Sequence, residues 1–412
     1  MEQKKPFYGW LMTAMLFITF GLSTGIPYYG GPFFYDYYEK SFGWSRTDIT
    51  FGFPLAALLT LWVGPMIVPK ISPRWSILVG TGLTALAFVG FSQMNGSLWV
   101  YYGIWVIYTL GYILSGPIPH QVTVSQWFKK RRGVAIAIVY TGVGIAAALV
   151  PKYVAKPITE ASGYRTALLI LAGMILLAWP IAILLLRDKP AEKGQFPDGG
   201  DHLPADVKME PQTASALMGQ KAFWLLLIGS MASIGAIGSI NQHLKFVLRS
   251  QGFTDQTALN AMWTEANFYV MLSSVAGRLV MGYLADRYNK KWVMLATYVL
   301  VAVTIPLLQM VTPVNPSNVY LFAILFGFGL GADYMLIPLM AAEQFGVNTL
   351  ARAMAIILPT DTIGQTWCPF LVAQIEKATG SYPTALLVVF ALAAVGAAAI
   401  ALLPNKKEER YS

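Results

Sequence analysis

Long apolar stretches separated by short charged segments recur along the whole chain. Each run has about 20 residues or more, the length that an α-helix needs to cross a hydrocarbon layer of about 30 Å. The pattern predicts an all-α membrane protein with twelve transmembrane helices. The predicted spans are residues 9–36, 47–69, 75–94, 97–126, 133–156, 165–187, 221–248, 258–285, 292–311, 317–342, 352–375 and 382–403.

A charged segment without an apolar run separates the first six spans from the last six. Residues 188–220 contain Pro-Asp-Gly-Gly and scattered charges, a composition typical of a linker. We therefore predict an N-terminal six-helix bundle over residues 1–187, a cytoplasmic linker over 188–220 and a C-terminal six-helix bundle over 221–412.

The two predicted bundles resemble each other in sequence. Gly43-Trp44-Ser45 before span 2 recurs as Gly252-Phe253-Thr254 before span 8, and similar segments begin at Tyr164 and Tyr382 before spans 6 and 12. The offsets, 209 and 218 residues, are nearly constant and indicate a duplication. Transporters built as two parallel repeats hold their substrate between the halves near the midplane and alternate access by rocking one half against the other.

Composition agrees with a membrane protein and excludes several other classes. Hydrophobic residues make up 56% of the chain and charged residues only 12%, about half the charged share of a soluble domain. Cys368 is the single cysteine, so the sequence offers neither a disulfide nor a multi-cysteine metal site. No hydrolase, phosphate-binding or zinc motif is present, and we expect neither an enzyme nor a cofactor.

The net charge of +9 reports topology and not a nucleic-acid partner. With the amino terminus in the cytoplasm, 20 of the 29 Lys and Arg residues fall on inner segments and 8 on outer ones. This excess follows the positive-inside rule. It predicts a multi-pass protein of a prokaryotic cytoplasmic (inner) membrane, with both termini in the cytoplasm.

The remaining cation, Arg278, lies inside an apolar run, eight residues before Asp286. That spacing places it about 12 Å from the charged turn, near the middle of the layer. A charge there costs about 2.5 to 3.5 kcal/mol and normally marks a substrate or ion path. The alternative is a packing arginine bonded to backbone carbonyls. A guanidinium suits a carboxylate because it forms two parallel hydrogen bonds, so we expect Arg278 to anchor the substrate.

The turn after Arg278 carries a recognisable motif. Gly282-Tyr-Leu-Ala-Asp286-Arg287-Tyr-Asn-Lys290-Lys291 resembles the loop motif of the major facilitator superfamily, with Asn289 at the second glycine. The resemblance covers essentially the whole chain and implies the superfamily fold of two pseudo-symmetric six-helix bundles. It also implies a gating role for the motif residues Gly282, Asp286, Arg287, Lys290 and Lys291. In the first half the motif is degraded, with Pro69 where the aspartate belongs.

Within the superfamily, the chain resembles the monocarboxylate transporter and oxalate/formate antiporter group. Phe7-Tyr-Gly-Trp10 at the start of span 1, Trp127-Phe-Lys-Lys-Arg-Arg-Gly133 after span 4 and the position of Arg278 carry this resemblance. Two positions differ. Animal monocarboxylate transporters have a lysine where this chain has Tyr28 and an aspartate where it has Ser274, so their proton relay does not transfer.

Two acidic residues also lie deep in predicted spans. Asp333 is ten residues before Glu343, about 15 Å from the inner edge, and Asp361 is nine residues into span 11, about 13 Å deep. Each is a candidate for proton coupling, since an anionic substrate on Arg278 would free a nearby acid to take a proton. The alternatives are a structural ion pair between Arg278 and Asp333 and a local backbone bond of Asp361.

Polar and aromatic neighbours complete the predicted pocket. Pro27 predicts a bend in span 1 where Tyr28 and Tyr29 project as candidate donors to a substrate carboxylate, and the alternative is that they too belong to an outer aromatic belt. Tyr334, beside Asp333, and Gln365, one turn after Asp361, are further candidates. We interpret Tyr35, Tyr37 and Tyr38 as an outer aromatic belt.

Taken together, the sequence favours a secondary transporter of a small organic monocarboxylate with proton symport. Carboxylate exchange is the alternative within transport, and a non-transporting carboxylate sensor is an alternative from another class. The expected partners are the carboxylate, H⁺ and membrane lipid, and we expect a monomer.

Overall fold

The protein is helical throughout the part of the chain that its computed structural model describes, residues 6–45, 48–49, 51–200 and 210–405, and no strand occurs in those ranges. The side chains of Tyr29 and some other helical residues lie outside the description. In the first half the α-helices are α1 Gly9–Phe20, α2 Tyr35–Phe42, α3 Gly52–Ile67, α4 Pro73–Ser92, α5 Leu98–Ser115, α6 Pro117–Trp127, α7 Arg132–Val150, α8 Lys156–Ser162, α9 Tyr164–Leu176 and α10 Ala178–Leu184. In the second half they are α11 Ala214–Met218, α12 Lys221–Ser250, α13 Gln256–Arg287, α14 Lys290–Gln309, α15 Asn318–Phe345, α16 Val347–Thr379 and α17 Tyr382–Ala401.

Ten helical segments of the described chain are long and apolar enough to cross a membrane. They correspond to ten of the twelve predicted spans. The other two predicted spans coincide with α3, which has 16 described residues, and α16, which has 33 residues but includes the polar residues Arg352, Asp361 and Gln365. Both are helical, so the arrangement is consistent with twelve transmembrane helices.

The chain divides into two compact units. The first comprises Met1–Pro211 and Gly346–Ile356, and the second comprises Gln212–Phe345 and Ile357–Ser412. Each buries its own apolar core, which the hydrophobic effect and dispersion stabilise. The core of the first unit is rich in aromatic rings, whereas that of the second is mostly aliphatic with a few phenylalanines.

Helices α13 and α15 of the second unit approach so closely that only glycine fits between them. A Cβ atom on Gly331 would lie 1.9 Å from the Ser274 carbonyl oxygen, and one on Gly327 would lie 2.3 Å from that of Val270. Both contacts join residues 57 positions apart, so the helices run in the same direction. The same spacing places Arg278 on α13 level with Met335 on α15, close to the depth of Asp333.

Span 1 departs from α-helical geometry at its C-terminal end. A π-helix over Gly21–Tyr29 follows α1, and a 3₁₀ turn over Gly31–Phe34 follows the π-helix. Pro27 lies inside the π-helix and has no backbone N–H to donate, which removes one hydrogen bond of regular α geometry. The irregularity lies where the proline predicts a bend.

Within the first unit, residues 189–200 of the predicted linker are hydrogen-bonded to other segments of the chain. The Asp198 carboxylate accepts hydrogen bonds from the backbone N–H groups of Lys129 at 2.9 Å and Lys130 at 2.7 Å. The Gln195 amide oxygen accepts the Tyr8 backbone N–H at 3.0 Å. The two segments that carry the resemblance at Tyr8 and Lys129 are therefore both bound to residues 189–200.

Candidate functional site

Arg278 lies on α13, which is unbroken from Gln256 to Arg287. Because the helix is continuous, the rise from Arg278 to Asp286 remains about 12 Å. The arginine side chain is half-buried, while Gly277 beside it is buried against α15. The role of Arg278 as substrate anchor stays a prediction.

The structure brings together Asp333 and Asp361, which were alternatives in the sequence analysis. Asp333 on α15 is 0% exposed and accepts a short hydrogen bond from the Ser233 hydroxyl. Asp361 on α16 is 3% exposed and accepts a hydrogen bond of 2.6 Å from the Ser230 hydroxyl. The two carboxyls lie close enough for their charges to interact. We refer to these residues, together with Tyr298, as the acid cluster.

Tyr298 on α14 was not identified from the sequence. Its side chain is 0% exposed, and its hydroxyl is near enough to interact with both Asp333 and Asp361. The hydroxyl lies beside the Asp333 carboxyl, which gives this buried tyrosine the polar neighbour that such a side chain normally has. In the sequence, Tyr298 is marked only by its hydroxyl within an otherwise apolar span, and this does not predict which helices the hydroxyl faces.

Asp333 does not form the ion pair with Arg278 that the sequence left open. Its hydrogen bond comes from Ser233 on α12, and its other neighbour is Tyr298. Asp361 likewise bonds to Ser230 and not to the backbone near Pro359, which corrects the second alternative. Both aspartates therefore face α12.

Gln365 and Tyr334 are half-buried neighbours of the two aspartates. The Gln365 Cγ atom would lie 3.0 Å from a Cβ added to Gly238, so its side chain also lies on the side of α16 that faces α12. Tyr334 follows Asp333 on α15 but is partly exposed where Asp333 is not. Their predicted contact with substrate stays a prediction.

Tyr28 belongs to an aromatic cavity in the first unit. Its ring stacks on that of Tyr112 with centroids 6.1 Å apart, and the cavity is also lined by Tyr35, Tyr38 and Trp105. Tyr38 is only 3% exposed, so the interpretation of this tyrosine as part of an outer belt is wrong. These rings pack against one another because aromatic pairs are stabilised beyond their buried area. The side chain of Tyr29 lies outside the described residues.

The predicted gating motif spans the junction of α13 and α14. Asn289, at the position of the motif's second glycine, caps α14 by accepting the Lys291 backbone N–H at 3.0 Å. Asparagine is a favoured capping residue because its side-chain oxygen satisfies an otherwise unpaired N–H. Lys290, the first residue of α14, forms an ion pair of 3.0 Å with Glu343.

Other motif residues have ordinary structural contacts. The Arg287 guanidinium lies 4.4 Å from the centroid of the Tyr283 ring, Gly282 is buried and Asp286 is half-buried. In the degraded first-half motif, the Arg74 backbone N–H donates to Asp188 at 2.7 Å. Within the described chain, no group of three or more His, Cys, Asp or Glu residues is arranged to hold a metal ion.

Known proteins resemble this chain over most of its length. The profile of the Major Facilitator Superfamily matches residues 118–274 and 256–412. The MFS transporter asaE of Aspergillus flavus is 27% identical over 270 residues, which is 64% of this chain and 56% of that protein. Human monocarboxylate transporter 11 is 25% identical over 368 residues, 84% of this chain and 66% of that protein. The chain thus spans less than two thirds of either relative's length.

A solved structure has the same fold. FucP, a fucose:proton symporter of E. coli solved in an outward conformation, superimposes with a TM-score of 0.73 and 14% sequence identity, covering 97% of this chain and 100% of FucP. At this identity the likeness shows the fold alone. Both the family and the fold are those of transporters, and the helices described above are those of a multi-pass membrane protein. The chain belongs to the major facilitator superfamily.

Proposed function

We propose that this transporter moves a small organic monocarboxylate across the cytoplasmic membrane by alternating access, in symport with a proton. The observation that carries the proposal is Arg278, half-buried about 12 Å from the end of an unbroken transmembrane helix. A permanent cation is costly at that depth unless it serves a polar path, and its planar fork matches a carboxylate.

The acid cluster supports proton coupling. Asp333 and Asp361 are 0% and 3% exposed, and their hydrogen bonds come from serine hydroxyls and not from a cation. Because a buried carboxylate without a cation is strongly disfavoured, such groups readily bind a proton. Gain and loss of that proton would link the acid cluster to transport.

The other site residues have supporting roles in the proposal. Tyr28, Tyr29, Tyr334 and Gln365 contribute hydrogen bonds and apolar contacts to the substrate. The motif residues Gly282, Asp286, Arg287, Lys290 and Lys291 take part in gating. We propose the domain organisation that the sequence predicts, with bundles over residues 1–187 and 221–412 and a linker over 188–220. The protein is a monomer in the lipid bilayer, and both termini lie in the cytoplasm.

Similarity to human monocarboxylate transporter 11 over 84% of this chain supports the substrate class. A carboxylate can shift the rocking equilibrium only if the inward and outward forms bind it with different affinity. Substrate bound to Arg278 would provide that difference if the guanidinium is reached from opposite sides in the two forms.

Uptake by purified protein in proteoliposomes tests this function. We expect a labelled monocarboxylate to accumulate when the outside is made more acidic than the inside, and an uncharged amide analogue to remain outside. Arg278→Ala should abolish uptake, while the exposed Arg249→Ala should not. Uptake that requires an internal carboxylate and ignores the proton gradient would replace symport with exchange. Normal uptake by Arg278→Ala would end the assignment of the anchor.

A further inference from the structure

We propose that Asp333 and Asp361 act as one proton site, in which the two carboxyls and the Tyr298 hydroxyl bind and release a single proton as a unit. The proposal rests on the proposed function and replaces a choice between two rival acids with a pair. The two acids lie on different helices, α15 and α16, so the sequence alone does not indicate that they meet.

One helix holds both carboxyls in place. Ser230 and Ser233 lie one turn apart on α12, and they are 0% and 1% exposed. Residues three apart on a helix project to the same side, so the two serines present their hydroxyls to one region of the bundle. Asp361 binds the first and Asp333 the second, which fixes the carboxyls beside each other.

The Ser230 hydroxyl has two oxygen neighbours. Its oxygen is 2.6 Å from a carboxyl oxygen of Asp361 and 3.2 Å from the carbonyl oxygen of Leu227. A serine hydroxyl has one proton to donate and can also accept. The contact with Asp361 is the shorter of the two, so the hydroxyl donates to the carboxyl and holds that oxygen in place.

The other oxygens of the acid cluster are poorly hydrogen-bonded. Within the described part of the chain, Asp333 Oδ1, Asp361 Oδ2 and the Tyr298 hydroxyl are buried and make no hydrogen bond of regular geometry. An unsatisfied buried polar atom destabilises the folded protein, and more so if it is charged. The two carboxyl oxygens can only accept unless they are protonated, so a proton held by the pair would supply a donor that they lack.

The charges around the pair favour the movement of one proton. The elements packed against it present Ser230 and Ser233 from α12 and Tyr298 from α14, while Arg278 lies on α13, which packs on α15. Two adjacent ionised carboxyls repel each other, so losing both protons is disfavoured. The pair then alternates between two protons and one. In the singly protonated form, the remaining proton stabilises the neighbouring carboxylate. Loss of the other proton is therefore a property of the two carboxyls together and not of either residue alone.

This arrangement predicts that neither aspartate is sufficient alone. Asp333→Asn and Asp361→Asn should each lose proton-driven accumulation, and the double variant should be no worse than either single variant. Counterflow, in which external labelled substrate exchanges for internal unlabelled substrate, needs no net proton movement and should persist in all three. Glu265→Gln, an equal change at an exposed side chain, is the matched control and should keep proton-driven accumulation.

Infrared spectroscopy of the protein tests the pair without transport. On raising the pH, the wild type should lose the absorption of one protonated carboxyl, and that change should be absent from both Asp→Asn variants. The proposal would be overturned if either variant retained proton-driven accumulation, or if two carboxyls titrated in this way in the wild type. Uptake driven by a Na⁺ gradient at equal pH would also overturn it. If the wild type shows no counterflow, the proposed function fails, whereas the infrared result still decides the shared proton.

Discussion

Lys290 and Glu343 form a buried ion pair, with Nζ 3.0 Å from Oε2 and side chains 10% and 11% exposed. Lys290 is the first residue of α14 and Glu343 lies in the last turn of α15. Each charge is at the unfavourable end of its own helix dipole, since cations are stabilised at C-termini and anions at N-termini. Pairing offsets both penalties and joins the predicted gating motif to α15.

Breaking this pair from one side should destabilise the protein. Lys290→Met leaves the Glu343 carboxylate buried without its cation, for which we expect a loss of about 3 to 5 kcal/mol. The double variant Lys290→Met/Glu343→Met should recover most of that loss because neither charge remains. Unfolding of detergent-purified protein measures both, and equal stability of single variant and wild type would contradict the pairing.

The glycine contact between α13 and α15 should tolerate no side chain. Gly331→Ala would place Cβ 1.9 Å from the Ser274 carbonyl oxygen, so the helices must separate. We expect a loss of about 1 to 3 kcal/mol or more, as for other overpacked interiors. Gly103→Ala is the matched control, because beyond its chain neighbours and its own helix backbone that glycine has no atom within 4 Å of the added carbon. The control should be neutral or stabilising by up to about 1 kcal/mol in thermal unfolding.

Asp198 should hold the loop before α7 in place. It has a left-handed backbone with φ of 57°, and its carboxylate accepts two backbone N–H groups. Asp198→Ala removes both bonds, and we expect faster hydrogen exchange at the Lys129 and Lys130 amides, corresponding to about 1 to 3 kcal/mol. Asp198→Asn retains an acceptor oxygen, so its rates of amide exchange should lie between those of the wild type and those of Asp198→Ala. Unchanged exchange in the alanine variant would show that these bonds do not hold the loop.

Much of the fold follows from the period and length of apolar runs, while the acid cluster does not. Counting residues from a charged turn gives the depth of Asp333 and Asp361 because helix rise is constant. Their meeting through Ser230 and Ser233 depends on how α12, α15 and α16 pack, and these contacts join residues 100 and 131 positions apart. Such separations leave no periodic signal in the sequence.

Irregular backbone was equally hard to anticipate in detail. Pro27 predicts a disturbance in span 1, but the extent of the π-helix over Gly21–Tyr29 depends on neighbouring helices. Tyr38 resembles a belt tyrosine in a sequence of alternating aromatics, yet packing buries it to 3% exposure. Composition identifies residues 189–200 as loop-like, but it does not predict that the Asp198 carboxylate accepts a hydrogen bond from the backbone of the loop at Lys129.

The most direct test of the account measures carboxylate binding to the wild type and to Arg278→Ala. Thermal unfolding of each purified protein, in the presence of each member of a panel of monocarboxylates, reports the binding. A ligand at 100 times its dissociation constant stabilises the native state by about 2.7 kcal/mol, enough to raise the unfolding temperature measurably. We expect at least one monocarboxylate to stabilise the wild type, and the variant to unfold at the wild-type ligand-free temperature with no response to that acid. An equal response of both proteins would contradict the assignment of Arg278 as the substrate anchor.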